Sequence, residues 1–256
     1  MSSEPFSIKD KVILFTGGAG HIVGALVEFC ASLGAICIST DLRPEKLEEQ
    51  AKNLKTKNLH LQVATLDVTD AGQWESLTKS IVMKHGRIDA LINGAGINAP
   101  STFFDIDVST FRKILDVNLV GTLLGCQIIG KHMVEMGSGS IINISSTSAD
   151  PPLSKAFAYS ASKAAVTNLT KNIARELGTT GVRVNSLRPG FFPTEWNKKN
   201  FLSEERIASI MTHTPMKRFG EPEELCGAVV WLIGDLSSFV TGSEIIIDGG
   251  FSAQTI

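Results

Sequence analysis

Residues 11–33 read KVILFTGGAGHIVGALVEFCASL, and this stretch decides the fold. It begins with an apolar run at 11–15, continues through a glycine-rich turn at 16–20, and ends in an apolar run at 22–33 with helical spacing. A strand, a glycine turn and a helix in that order bring backbone N–H groups and a helix N-terminus to one place, where they can bind a pyrophosphate. A glycine turn alone is a weak signal, since any tight turn uses glycine. The stretch predicts a dinucleotide-binding unit if the segments that follow it fit.

Strand-like and helix-like segments alternate along the whole chain. The predicted strands are residues 11–15, 35–40, 59–66, 88–92, 140–144, 182–187 and 244–247. The predicted helices are residues 22–33, 42–54, 74–84, 109–136, 157–177 and 222–235. The strands are continuous Val/Ile/Leu runs, which is typical of strands buried on both faces. We therefore predict an α/β fold: one doubly wound (Rossmann) domain over residues 1–256, with helices on both faces of a parallel seven-stranded sheet and a substrate-loop excursion at about 191–220.

The composition excludes several classes of function. The chain has 256 residues, of which 43% are hydrophobic and 20% charged, and its net charge is −2. No basic stripe indicates nucleic acid, and no apolar run approaches the roughly 18 residues that suggest a membrane span. The first residues lack a secretory pattern. The four cysteines include no C-x-x-C pair and the five histidines show no metal-ligand spacing. We expect a cytoplasmic protein with free thiols and no metal, acting on a small molecule.

An acidic residue, Asp41, ends the second predicted strand, 24 residues after Gly17. A carboxylate in this place can accept hydrogen bonds from both hydroxyls of an adenosine ribose, and it repels a 2′-phosphate. NAD(H) is therefore favoured over NADP(H) as the cofactor. Two alternatives stay open, because Asp41 could be a helix N-cap and Arg43 could pair with a phosphate.

A second group of candidate residues is centred on Tyr159, which is the one tyrosine of the sequence, and Lys163. Four residues apart in a run with helical spacing, the two side chains share a helix face. A phenol has an unperturbed pKa of about 10, and a nearby ammonium group favours the phenolate and lowers that pKa. Ser146 follows the strand at 140–144, where its hydroxyl could hydrogen-bond a substrate oxygen. Taken alone, the tyrosine could simply be a packing residue with a solvated lysine beside it.

Together these motifs resemble the short-chain dehydrogenase/reductase family over residues 9–250. The matching residues are Thr16-Gly17, Asp67-Val68, Asn93-Gly94-Ala95-Gly96, Asn118, Ser146, Tyr159, Lys163, Pro189-Gly190 and Thr194. The resemblance implies hydride transfer between nicotinamide C4 and a carbinol or carbonyl carbon, with Tyr159 as the acid–base group. It also implies that Lys163 lowers the pKa of Tyr159 and holds the nicotinamide ribose, while Ser146 orients the substrate oxygen.

The resemblance implies four catalytic residues, namely Asn118, Ser146, Tyr159 and Lys163. The cofactor-binding residues that it implies are Gly17, Gly20, His21, Ile22, Asp41, Leu42, Asp67, Val68, Asn93, Ala95, Gly96, Tyr159, Lys163, Pro189, Gly190, Phe192 and Thr194. For Asn118 two interpretations stay open. It is either a satisfied amide of the core or the anchor of a water in a proton relay from Lys163.

The glycine turn departs from the family pattern. The second and third glycines of that pattern fall on His21 and Val23, and Gly24 comes one place late. The third glycine permits close packing of helix, strand and cofactor, so Val23 is expected to crowd that contact. The backbone N–H of His21 can still point at a phosphate.

Residues 190–195, 213–216 and 218–224 are similar to the sugar-acid branch of the family, which includes D-mannonate (fructuronate) oxidoreductases and gluconate dehydrogenases. A sugar acid requires hydrogen-bond donors for its hydroxyls and a cation for its carboxylate. The residues available near the expected mouth of the site are Asn98, Lys155, Arg188, Asn197 and Lys198. Each of them could instead be a solvated surface residue.

Two other functions stay open. A generic carbonyl reductase, such as a 3-oxoacyl reductase, shares every catalytic residue but usually carries basic NADP determinants in place of Asp41. A catalytically weak scaffold with an impaired cofactor loop would account for Val23. In either case the resemblance implies a homotetramer.

Overall fold

A computed structural model describes residues 6–150, 153–194 and 202–254 of the protein. Its strands form one parallel sheet. The strands are β1 Val12–Thr16, β2 Ile36–Asp41, β3 Leu61–Thr65, β4 Ala90–Asn93, β5 Gly139–Ile144, β6 Val182–Pro189 and β7 Glu244–Ile247. Their order across the sheet is β3-β2-β1-β4-β5-β6-β7. The predicted seven-stranded parallel sheet is therefore confirmed.

Helices cover both faces of this sheet. The α-helices are α1 His21–Ser32, α2 Pro44–Thr56, α3 Ala71–His85, α4 Val108–Leu115, α5 Gly121–Met136, α6 Phe157–Leu177, α7 Glu204–His213 and α8 Cys226–Ile233. Residues of α1 and α8, such as Leu26 and Val229, belong to one apolar cluster, and residues of α3 and α5, such as Trp74 and Ile129, belong to the other. Alternate residues of β1 enter the two clusters, so the strand is buried on both sides.

The strand order reverses between β1 and β4, and this reversal positions the site. In an open parallel sheet, ligands bind in the crevice outside the carboxyl ends of the strands at such a switch point. The glycine turn leaves β1 there, residues 94–96 leave β4, and Ser146 follows β5. Three of the predicted motifs therefore meet at one edge of the sheet.

The long predicted helix at 109–136 is one continuous helical run, Val108–Met136. It consists of α4, a π-helical segment at Asp116–Val120 and α5. Contrary to expectation, this run is long and apolar enough to cross a membrane by length and composition. However, Ile129 and Met133 are fully buried against the sheet, as in the core helix of a globular domain.

Two predicted segments differ in detail from the observed ones. The helix expected at 222–235 is a 3₁₀ turn at Pro222–Leu225 followed by α8, and Glu221 and Glu224 form a capping box around that turn. The excursion at 191–220 contains α7, whose N-cap Ser203 accepts a hydrogen bond from Arg206 N. The candidate substrate residues Asn197 and Lys198 lie outside the described residues.

Candidate active site

The glycine turn after β1 is held tightly against the segment that leaves β4. Thr16 Oγ1 accepts hydrogen bonds from Gly94 N at 3.1 Å and Ala95 N at 3.2 Å. Gly17 has a φ of 67°, and a Cβ at this position would lie 2.8 Å from Ala95 Cα. Only glycine satisfies both conditions, since the left-handed backbone and the close approach each exclude a side chain. The turn and the β4 segment therefore form one surface.

The N-terminus of α1 opens onto this surface without a cap. Its N-cap Gly20 offers no side-chain hydrogen bond, and the first turn holds no acidic residue. His21 is exposed and Ile22 half-buried at the same end. Free backbone N–H groups and the positive end of the helix dipole form an anion site there. The predicted pyrophosphate residues are thus brought together.

Val23 does not project into the crevice. Its side chain is 4% exposed and belongs to the apolar cluster beneath the turn. A Cβ on Gly94 would clash with Val23 Cγ2 and lie 3.0 Å from Thr16 O. The valine therefore occupies the space that a side chain at position 94 would need, and the two residues are complementary in size. Gly94 therefore makes room for Val23 within the protein, and the effect of Val23 on cofactor binding stays a prediction.

We expect Gly94→Ala to destabilise the protein by about 1–3 kcal/mol, because overpacking a filled site displaces side chains or backbone. Val23→Ala should recover part of this loss in the double variant, although alone it opens a cavity and is destabilising as well. Urea unfolding of the four proteins measures the coupling. Strictly additive losses would show that the two side chains do not compete for space.

Asp41 ends β2 and is buried, but it already has a partner. Arg43 Nε and Nη2 donate to its two carboxylate oxygens at 2.9 and 3.0 Å, and Arg43 N donates at 3.1 Å. This bidentate bond raises the pKa of the arginine. Arg43 is half-exposed, so it can move away without opening the core. A ribose bound to Asp41 would have to share this carboxylate with Arg43 or displace the arginine. Leu42, which follows Asp41, is exposed.

The side chains of two predicted cofactor residues, Asp67 and Asn93, are hydrogen-bonded to other groups of the protein. Asp67 Oδ1 accepts from Thr69 N and Thr69 Oγ1, which fixes the turn after β3. Asn93 Nδ2 donates to Asn143 Oδ1 at 2.9 Å inside the sheet. The side chain of Asn93 therefore lies inside the sheet, and a cofactor in the crevice could contact the backbone of this residue. Val68 likewise packs its side chain in the core.

The predicted hydroxyls and the lysine meet beside the β4 segment. Tyr159 lies in the first turn of α6, and the side chain of Ser146 lies close enough to lower the pKa of its phenol. Lys163 lies one turn later, with Nζ 5.7 Å from the centroid of the Tyr159 ring and 2.7 Å from Ile144 O. A Cβ on Gly96 would lie 3.3 Å from Asn118 Oδ1 and 3.6 Å from Lys163 Nζ, so the backbone of this glycine lies directly beside the lysine.

Burial controls the pKa values of this cluster. Desolvation raises the pKa of Tyr159, and the nearby side chain of Ser146 opposes that shift. Desolvation lowers the pKa of Lys163 to about 8. In the protein without cofactor the tyrosine pKa is thus raised, and its lowering by Lys163 stays a prediction. A positively charged nicotinamide beside the phenol would be needed to favour the phenolate.

Comparison with known proteins identifies the family. A family model described as enoyl-(acyl carrier protein) reductase matches residues 19–252. The uncharacterized oxidoreductase UxuB of Bacillus subtilis is 34% identical over 97% of this chain and 97% of its own. The chain belongs to the short-chain dehydrogenase/reductase family. It is an oxidoreductase that acts on alcohol or ketone groups.

Relatives of this dehydrogenase differ in substrate and cofactor. The 3-oxoacyl-[acyl-carrier-protein] reductase FabG of Thermotoga maritima is 35% identical over 95% of this chain and 98% of its own. A structure of a candidate D-mannonate oxidoreductase from Haemophilus influenza with bound NAD is 34% identical, with a TM-score of 0.92 and 97% of each chain covered. A gluconate 5-dehydrogenase from Burkholderia cenocepacia in complex with NADP and tartrate is 29% identical, with a TM-score of 0.92 and 98% of each chain covered.

The side-chain amide of Asn118 is hydrogen-bonded to other groups of the protein. Its Oδ1 accepts from Ile97 N at 2.8 Å, and its Nδ2 donates to Ile97 O and to Ser162 Oγ, each at 3.0 Å. Of the two interpretations, the structure favours the satisfied core amide for the side chain. Through these bonds Asn118 fixes the backbone at Ile97, just after Gly96.

The segment after β6 forms the other wall of the dehydrogenase site. Gly190 N donates to Ile247 O at 2.9 Å, and a Cβ on Gly190 would lie 2.7 Å from Asp248 Cα. Pro189 is buried and Thr194 half-buried. The ring of Phe192 turns into the core against Gly220, so a cofactor could contact only its backbone. Phe192 therefore stays a predicted cofactor residue through its backbone.

The predicted substrate cations separate into two kinds. Arg188 is buried and bonded to Glu244, so the expectation that it is free to bind a carboxylate is wrong. Lys155 is exposed, just before α6 and Tyr159. Sequence reasoning missed Arg206, whose Nη1 donates to Ser154 Oγ at 3.1 Å and so brings α7 next to Lys155. The N-cap pattern of Ser203 could have indicated α7, but not the contact.

Proposed function

We propose that this enzyme interconverts a secondary alcohol and a ketone on a sugar or sugar acid, of the mannonate/fructuronate or gluconate type. The observation that carries the proposal is the grouping of Ser146, Tyr159 and Lys163 at the edge of a glycine-lined crevice, with Lys163 Nζ 5.7 Å from the Tyr159 ring and the Ser146 side chain near the phenol. Such a site can hold a substrate oxygen and exchange its proton. The nearby Asp41 and the uncapped end of α1 fit a nicotinamide dinucleotide.

Each residue has a definite part in this proposal. When bound, the nicotinamide would supply the hydride acceptor. In the oxidation direction, Tyr159 as phenolate takes the hydroxyl proton of the substrate while Ser146 orients the same oxygen. Lys163 would hold the nicotinamide ribose, and its ammonium group together with the positive charge of the bound nicotinamide would favour the phenolate. Asn118 keeps Ile97 in place beside them.

We propose NAD(H) as the preferred cofactor, since the carboxylate of Asp41 repels a 2′-phosphate. At ribose distance, this repulsion is on the order of 1 kcal/mol or more in a partly screened cleft. Wild type should bind NADH several-fold more tightly than NADPH. Asp41→Ala should remove the preference for NADH. Arg43→Ala should increase that preference, because the substitution frees the Asp41 carboxylate and removes the cation that could bind a 2′-phosphate. Fluorescence titration with both cofactors measures this, and tighter NADPH binding by wild type would refute the preference.

A sugar acid is favoured over an acyl thioester by the cations at the mouth. Lys155 and Arg206 both lie near the start of α6, where a substrate carboxylate could reach them from Tyr159. The experiment compares D-mannonate and D-gluconate with mannitol, glucitol and a 3-oxoacyl thioester. Faster turnover of the hexonates supports the proposal. Equal turnover of the polyols would refute the sugar-acid substrate but remain consistent with a sugar dehydrogenase. Preference for the thioester would favour the alternative function, a 3-oxoacyl reductase.

We further propose a homotetramer in the cytoplasm. Two exposed apolar surfaces support two interfaces: Phe103, Phe104 and Phe157 beside α4 and α6, and Phe239 with Ile246 at the β7 edge of the sheet. Two separate self-contacts are what closed dihedral symmetry requires. Light scattering at micromolar concentration should give the mass of four chains of 27.5 kDa. A monomer mass would exclude the assembly.

A further inference from the structure

Arg188 is a buried arginine at the end of β6 that the proposed reaction does not use directly. Its side chain is 5% exposed. Nε donates to Ser146 O at 3.2 Å, and Nη2 lies 3.5 Å from Thr147 O. The guanidinium group thus bonds the main chain of the loop that carries Ser146. A buried charge in this position requires compensation by an opposite charge.

That compensation comes from β7 and α6. Arg188 Nη1 donates to Glu244 Oε2 at 2.5 Å, and Glu244 Oε1 lies 2.6 Å from Lys171 Nζ. Glu244 is paired with Ser186 in the sheet, two residues before Arg188, so the two charged side chains are diagonal neighbours on one face. Lys171 lies eight residues after Lys163 on α6. A chain of ionic contacts therefore connects α6 to the Ser146 loop.

The loop is a single 3₁₀ turn, Thr147–Ala149, with Ser146 as its N-cap. Its own bonds are local, since Ser148 N donates to Ser146 Oγ and Ala149 N donates to Ser146 O, each at 3.1 Å. Contacts with neighbouring elements therefore fix its place relative to α6. Ser145 Oγ donates to Lys163 O at 2.8 Å and fixes the residue before Ser146. Beyond that point, the backbone carbonyls of Ser146 and Thr147 face Arg188. The planar guanidinium group holds two acceptors and a carboxylate at once, which a lysine could not do.

We propose that Arg188 is a positioning residue that fixes Ser146 relative to Tyr159, with Glu244 and Lys171 as its electrostatic support. This inference rests on the proposed function, because it assigns Ser146 a part in catalysis. Displacing a group by about 1 Å at a reacting centre can cost up to about 10²-fold in rate. Loss of Arg188 should therefore lower kcat mainly through Ser146.

The test is a double-mutant cycle on kcat with Arg188→Met and Ser146→Ala. Each single change should lower kcat by about 10-fold or more, and the double variant should be no slower than Ser146→Ala within about twofold, because residues that act as a unit are not additive. KM for the cofactor should change little. Arg188→Lys, which keeps the charge beside Glu244, repeats the cycle if Arg188→Met fails to fold, and it should show the same non-additivity.

Arg183 provides the matched control on the same strand. Its Nη2 donates to Leu232 O at 2.8 Å and Gly234 O at 3.3 Å, at the opposite end of β6 from Ser146. Arg183→Met should lower the stability of the protein. In the double variant of Arg183→Met and Ser146→Ala, the fold-loss in kcat should equal the product of the two single losses, because the two sites are independent. Independent effects of Arg188 and Ser146 would overturn the positioning role while leaving the proposed function intact. If Ser146→Ala left kcat unchanged, both the positioning role and the proposed part of Ser146 would fall.

Discussion

Tyr159→Phe is expected to lower kcat by about 10²–10⁴-fold or more, while cofactor binding remains. The substitution keeps the ring, its volume and its place in the first turn of α6, but it removes the phenol hydroxyl. Since this group alone is proposed to exchange the substrate proton, the loss should fall on kcat rather than on KM. Steady-state kinetics in both directions measures it.

Ser160→Ala is the control for this change. Ser160 follows Tyr159 in the sequence. Its hydroxyl oxygen is buried and has no hydrogen-bond partner among the described residues. Removing it should leave kcat within about twofold, because it breaks no bond. Comparable losses in the two variants would mean that the helix start, and not the phenol, is what the reaction requires.

The tyrosine also offers a direct titration, since it is the one tyrosine of the chain. Burial raises its pKa in the protein without cofactor, so tyrosinate absorbance should appear above the range of a free phenol. Saturating NAD⁺ should move the titration to lower pH, because its nicotinamide carries a positive charge. Tyr159→Phe supplies the blank. A low tyrosine pKa without cofactor would contradict the structure.

Lys163→Met should abolish most activity and cofactor affinity but stabilise the folded protein at neutral pH. Burial lowers the pKa of this lysine from 10.5 to about 8, so holding its charge costs up to about 3 kcal/mol. The bond from Nζ to Ile144 O offsets about 1 kcal/mol of that. We therefore expect a net gain of about 1–2 kcal/mol for the variant, in a site where function and stability oppose each other.

The pH dependence gives the sign of this effect. Because the folded pKa lies below the unfolded one, the cost is fully present below pH about 8. It disappears as the pH rises from about 8 to about 10.5, where the unfolded chain binds more protons than the folded one. Urea unfolding at pH 7 and pH 10 should show the advantage of Lys163→Met shrinking with rising pH. An advantage that grew instead would reverse the assignment.

The sequence alone predicted the parts of this protein that depend on local pattern. Continuous apolar runs predicted the strands, and the places where they end predicted that the glycine turn, Asp41 and Ser146 lie at one edge of the sheet. The helical spacing of Tyr159 and Lys163 predicted their common face. These inferences need only the periods of helices and strands and the parallel order.

What the sequence could not predict are contacts between distant segments. Arg188 is bonded to Glu244 across 56 residues, and its burial depends on a sheet register that no local pattern contains. Val23 is accommodated by Gly94, which is distant in sequence but adjacent in the fold. Asn93 turns toward Asn143 because β4 and β5 are neighbours. In each case the sequence identified the residue type, but the role of the side chain depends on a partner that is distant in sequence.

Direct transfer of deuterium tests the central claim. Reduced nicotinamide dinucleotide carrying deuterium at C4, with each face labelled in turn, is incubated with D-fructuronate or 5-keto-D-gluconate and the wild-type enzyme. The alcohol product should contain one deuterium on the new carbinol carbon from one of the two labelled faces, and Tyr159→Phe should form it at least about 10²-fold more slowly. An alcohol without deuterium, or label transfer by Tyr159→Phe at the wild-type rate, would contradict the account.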